Sequence, residues 1–117
     1  MAARLTNRNR ALRLITERQY QTTIEQLLKA TGWRYFHSPP NRPANGFVAR
    51  MVRGWPDLFA IRGDRAIAVE LKTETGKTTP DQDAWLTELG SAGIETYIWR
   101  PRDIDDARRI LAHIDPP

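Results

Sequence analysis

The sequence contains no cysteine, which excludes a disulfide framework and any thiolate metal site. It also lacks an apolar run near the roughly 20 residues a helix needs to cross a bilayer, so no membrane partner is expected. The opening stretch, MAARLTNRNRALRLI, has no apolar core of the roughly 7–15 residues that mark a secretory signal. These absences predict a soluble, cytoplasmic protein. No internal repeat or low-complexity tract interrupts the 117 residues, a length that suits one domain around one core. Lysine is scarce: 3 Lys stand beside 15 Arg, with a net charge of +4. The arginine fork binds phosphate bidentately, which an ammonium does not. A basic, arginine-biased domain points to a polyanionic partner, most often nucleic acid. Codon bias in a GC-rich genome would raise arginine over lysine in the same way.

Residues 1–15 carry Arg4, Arg8, Arg10 and Arg13 with no acid, a basic arm or an extension of the first helix ahead of one domain over 16–117. Thr16-Glu17-Arg18-Gln19 has the form of a capping box, in which the threonine and glutamine side chains each satisfy a backbone N–H. Tyr20, Ile24, Leu27 and Leu28 follow at helical spacing and Gly32 is a helix stop. Trp33 to His37 predicts a short strand. Residues 38–54 are dense in Pro, Asn and Gly and carry Arg42, Arg50 and Arg53; connections this long tend to be functional. Asp57 to Ile61 and Ala66 to Lys72 predict two strands. Thr79-Pro80-Asp81-Gln82 is a second capping box with Pro at the favoured first position, opening a helix that ends at Gly90. Ile94 to Trp99 is a further strand, and Asp103 caps a last helix carrying Ile104, Ala107, Ile110 and Leu111. The order is α-β-β-β-α-β-α.

Three charges interrupt the apolar middle of the chain. A tight turn at Gly63-Asp64 makes the two central strands an antiparallel hairpin. If Arg62 faces Arg65, then Ile61 faces Ala66, Phe59 faces Ala68 and Asp57 faces Glu70. Two carboxylates so placed have Cβ atoms roughly 4.5–5.5 Å apart and repel each other unless a cation intervenes. Strand alternation puts Ala68, Glu70 and Lys72 on one side and Ile67, Val69 and Leu71 on the other. Paired carboxylate oxygens suit Mg²⁺ or Mn²⁺, which keep waters and take remaining ligands from a phosphate substrate. A lysine beside them can orient a metal-bound water or neutralise charge on the phosphate.

Pro56-Asp57 and Glu70-Leu71-Lys72 resemble the two motifs of the PD-(D/E)XK nuclease superfamily, and the element order is similar to that restriction-endonuclease-like α/β core, a central mixed sheet flanked by helices. More narrowly, Gly54-Trp55-Pro56-Asp57, Glu70-Leu71-Lys72, the KTTPDQ run ending in Gln82 and the GIETYIW stretch look like the VRR-NUC group, over about residues 17–112. The resemblance implies a Mg²⁺-dependent deoxyribonuclease, with Mn²⁺ as a substitute. It implies Asp57, Glu70 and the Leu71 carbonyl as metal ligands, Lys72 as the catalytic lysine, Glu25 as an acid reaching towards the metal, and Gln82 as the glutamine that holds the lysine or the substrate. It further implies a homodimer acting on branched DNA such as four-way (Holliday) junctions, in a bacterial cell or a phage-infected host. Arg42, Arg50 and Arg53, with Lys77 and with Arg8, Arg10 and Arg13, are the candidates for DNA phosphate contacts. Trp55 could stack on a base, and His37 could touch DNA or metal. The rival expectation is a DNA-binding module that keeps the nuclease fold without catalysis.

Overall fold

A computed structural model of the protein describes residues 6–38 and 52–113. Its elements are α1 (Asn7–Leu14), α2 (Glu17–Ala30), β1 (Arg34–His37), β2 (Leu58–Arg62), β3 (Arg65–Leu71), α3 (Pro80–Ser91), β4 (Glu95–Trp99), a 3-10 turn (Pro101–Asp103) and α4 (Ile104–Ala112). The chain is mixed α/β with a four-stranded mixed sheet in the order β1-β2-β3-β4. The described residues gather into two compact units. One takes the described parts of Met1–Trp33, Leu71–Lys77 and Ile98–Pro117, the other those of Arg34–Glu70 and Thr78–Tyr97.

In the second unit the central hairpin has the expected register pair for pair, from Arg62↔Arg65 through Ile61↔Ala66 and Phe59↔Ala68 to Leu58↔Val69. Gly63 takes φ +60°, the left-handed conformation that the two-residue turn requires. Strand β1 pairs antiparallel with β2, setting Phe36 against Phe59 and His37 against Leu58. Leu58, Ala60, Ile67 and Val69 share one side of the hairpin and are all buried, so that side is core. At the far end Arg65 holds Glu95 through two hydrogen bonds of 2.9 and 2.8 Å. Tyr97 donates its hydroxyl to the same carboxylate at 2.7 Å.

In the first unit the Thr16–Gln19 capping box forms, with bonds of 2.9 and 3.1 Å. It starts a helix that buries Tyr20, Ile24 and Leu28. Gly32 follows the helix at φ +82° and ends it. Trp33 and Ala107 and Leu111 of α4 are buried with them, and the Trp33 indole donates to the Leu111 carbonyl at 2.9 Å. Burial raises the pKa of the Tyr20 phenol, with the charges of Asp103 and Glu74 adding to the effect.

The structure departs from the expected elements in three places. Asn7–Leu14 is a helix of its own, capped by Thr6, and Ile15 and Thr16 are extended between it and α2. Helix α3 runs through Gly90 to Ser91, since a residue without a side chain costs a helix only about 1 kcal/mol. Asp103 acts one turn earlier than expected: its carboxylate accepts the Arg100 N–H at 2.8 Å, at the start of the 3-10 turn, and makes no side-chain cap on α4.

Candidate functional site

Glu70 is the one charged residue among the described core, with 1% of its surface exposed. It lies on β3 between Val69 and Leu71, so the chain cannot turn it outward without exposing the apolar face of the strand. A buried carboxylate is costly unless polar groups meet it, and α3 supplies one. The Gln82 side-chain nitrogen donates to Glu70 Oε1 at 2.8 Å. The oxygen of the same amide accepts the Thr79 N–H at 2.9 Å, while Thr79 Oγ1 accepts the Gln82 N–H at 3.2 Å. The second capping box therefore orients the amide so that its NH₂ can only point to Glu70. Capping and site are two uses of one side chain.

Asp57 sits one residue before β2, half-buried. The ladder ends at Leu58↔Val69, so the expected Asp57–Glu70 pair lies one step beyond it, with Asp57 in a bend. Three contacts fix the Pro56-Asp57 segment. Ser38 closes the end of β1 over it, its N–H donating to the Asp57 carbonyl at 2.8 Å and its hydroxyl to the Pro56 carbonyl at 2.7 Å. On the α3 side the Trp85 indole donates to the Arg53 carbonyl at 3.1 Å. Gly54 takes φ +82° and lies so near α3 that a Cβ there would sit 2.5 Å from the Asp81 carbonyl carbon, so only glycine fits. Trp55 packs edge-on against Trp85 with centroids 5.0 Å apart and stacks on Phe59 at 6.1 Å, so it is part of an aromatic cluster.

Leu71 ends β3 and is buried; Lys72 follows it directly, half-buried, with its N–H donating to the Trp99 carbonyl at 3.0 Å. These two residues belong to the first unit. There Arg100 donates to the Thr73 carbonyl at 2.7 Å and to the Gly76 carbonyl, and Arg102 N–H meets Glu74 at 2.7 Å, holding the segment after Lys72 in place. Glu25 lies on α2 of that unit, half-buried, accepting a 3.1 Å bond from Gln21. Arg8, Arg10 and Arg13 are exposed on α1, Lys77 is exposed after β3, and Arg53 is exposed before Gly54. Arg42 and Arg50 lie outside the described residues.

The geometry thus joins Gln82 directly to Glu70 and leaves Asp57 one residue beyond the last ladder pair. Ser38 and Trp85, which fix the segment around Asp57, were not among the candidates expected from the sequence. Trp85 had a signal, since it stands three residues after Gln82 and shares its helix face; Ser38 had none beyond its place at the end of a strand. Among the described residues no group of three or more His, Asp or Glu gathers. A pair of carboxylates with a neighbouring backbone carbonyl is too sparse for a closed protein cage. It fits a hard cation that retains waters and shares a substrate phosphate, the habit of Mg²⁺. Compared with family models, curated proteins and solved structures, the chain matches none.

Proposed function

We propose that the protein is a metal-dependent DNA endonuclease of the PD-(D/E)XK type, close in design to the VRR-NUC group. The observation that carries the reading is the buried Glu70 carboxylate, held by Gln82 at 2.8 Å, with Asp57 one residue beyond the last pair of the facing strand. A carboxylate with only a packing role gains nothing from burial, and an apolar residue of similar volume would be at least as stable there. Asp57, Glu70 and the Leu71 carbonyl would hold Mg²⁺ or Mn²⁺; Glu25, the further acid the resemblance implied, is not part of a group of three acids among the described residues. The bound ion supplies charge stabilisation at the phosphoryl oxygens and a more acidic water. Lys72, two residues beyond Glu70, neutralises charge on the scissile phosphate and orients the attacking water. Gln82 keeps Glu70 in a single orientation. The exposed Arg53, Lys77, Arg8, Arg10 and Arg13, with Arg42 and Arg50, contact the DNA backbone and set position but not sequence. A homodimer would place two such sites about a two-fold axis, which suits paired nicks in a four-way junction.

The test is a cleavage panel of labelled junction, flap, duplex and single-stranded DNA with Mg²⁺ and with Mn²⁺. Cleavage of at least one substrate is expected, abolished by Asp57→Asn and by Glu70→Gln. Each variant keeps or gains stability in metal-free buffer, because one repelling charge is gone. Lys72→Ala lowers the rate and leaves calorimetric Mg²⁺ binding in place. DNA binding without cleavage of any substrate would establish the non-catalytic module instead.

A further inference from the structure

The side of the hairpin that carries Glu70 is closed over β3, where Ala68 and Glu70 are buried, but open towards β1 and the end of β2. Register places three rows of residues on it: Arg34, Ile61 and Ala66; then Phe36, Phe59 and Ala68; then Ser38, Asp57 and Glu70. Phe36 is 60% exposed and Ile61 46% exposed, although the opposite side of β2 is core and that of β1 is half-buried. Phe59 is half-buried, and Trp55 stacks on it with planes only 28° apart, so the two rings form one tier. Trp85 closes the end of that tier edge-on, its indole anchored on Arg53. The aromatic surface lies one row from the acid pair, a step of about 6.7 Å along the strand.

We infer that this aromatic row binds an unpaired nucleobase of the strand whose phosphate lies at Asp57 and Glu70. Aromatic side chains meet a base through its π-face, and in a duplex both faces of every base are covered by neighbours about 3.4 Å away. A base can reach Phe36 and Phe59 only after leaving the stack, as it does in single strands, at branch points and after extrusion. Charge agrees with that occupant. Arg34 is exposed on the row beside Phe36 and Arg53 is exposed next to the Trp85 anchor, so cations border the apolar surface where a backbone would run. The patch is also small. It spans about two ladder steps, whereas a stable protein interface engages roughly 20–30 residues on each side. The inference rests on the nuclease reading for its orientation, and it gives that reading a substrate class: DNA with unpaired bases beside the cut.

The test is run in metal-free buffer, so that binding is read without cleavage. Fluorescence titrations compare a short thymidine oligonucleotide, the same oligonucleotide with abasic sites, and a blunt duplex. Stacking predicts tighter binding of the base-bearing strand and quenching of tryptophan emission. Phe36 is exposed enough to be replaced without unfolding the sheet. Phe36→Ala is expected to weaken that strand roughly 5- to 150-fold and leave the abasic strand unchanged. Phe36→Leu fails likewise, and Phe36→Trp restores binding. Equal affinity for base-bearing and abasic strands overturns the inference. So does a Phe36→Ala protein that keeps its base preference but changes from dimer to monomer in sedimentation, because the patch would then hold a second copy. Separate cleavage assays with Mg²⁺ report on the nuclease reading alone: base-dependent binding without any cleavage removes that reading and leaves the stacking surface, whereas cleavage without base preference does the reverse.

Discussion

Two helices of this protein begin with the same device. Thr16 and Gln19 start α2, Thr79 and Gln82 start α3, and in both boxes the threonine and glutamine side chains bond the backbone across three residues. The distances are nearly equal, 2.9 and 3.1 Å in the first box and 2.9 and 3.2 Å in the second. The difference lies in the nitrogen of each glutamine amide. Gln19 is exposed, whereas Gln82 is half-buried and its nitrogen meets the buried carboxylate of Glu70. A sequence signature for a helix start is therefore silent about what else its side chains hold. A local motif acquires a function from what the fold brings beside it.

The comparison can be broken most forcefully at the two glutamines. Gln82→Ala should lower the cleavage rate by about 10- to 100-fold, because Glu70 loses the bond that fixes it, comparable to the cost of losing an outer-shell partner of a metal ligand. Gln19→Ala should leave the rate unchanged, and a rate loss in that variant would show that the two boxes are equivalent after all. The next effect is on stability alone. Gly54→Ala forces a side chain into the left-handed region and against Asp81, with a cost of at least about 1–3 kcal/mol in urea unfolding. Smaller still, Thr16→Ala and Thr79→Ala should each cost about 1 kcal/mol, measured from the same urea midpoints, with only the Thr79 variant also slowing cleavage.

Because all four capping side chains are neutral, these differences should persist as pH is raised. The alkaline response comes instead from two tyrosines: Tyr20, raised by burial, and Tyr97, whose pKa is raised from 10.0 to about 12 by burial and by its hydrogen bond to Glu95. The fold favours the protonated Tyr97 phenol, so its stabilisation is complete below pH 10 and is lost as pH rises through about 12. Tyr97→Phe should flatten that part of the stability profile.

Much of this architecture was legible in the chain. Alternating apolar residues around Gly63-Asp64 were enough to place the hairpin pairs from Arg62↔Arg65 to Leu58↔Val69, because a slip of one residue would expose Ile67 and Val69 together. Both capping boxes and the stop at Gly32 could be read because their partners lie within four residues. The bond from Gln82 to Glu70 crosses twelve positions and the bond from Trp85 to Arg53 crosses thirty-two, and no local pattern encodes either. The close approach of Gly54 to Asp81 is equally invisible, since a glycine in a loop reads as a turn residue. Asp57 and Lys72 were expected inside strands and stand just outside them, because the pairing of β2 with β3 ends at Leu58↔Val69 and β3 itself ends at Leu71.

The clasp formed by Ser38 has a consequence for how this protein tolerates change. Its hydroxyl and N–H tie the end of β1 to the Pro56 and Asp57 carbonyls, while Trp85 ties the Arg53 carbonyl to α3. Both ends of the intervening segment are anchored independently of its length. Closing a loop between fixed ends becomes harder only logarithmically with added residues, about 0.6 kcal/mol per doubling. A peptide tag or a recognition sequence spliced between residues 39 and 51 should therefore leave Asp57 where it is.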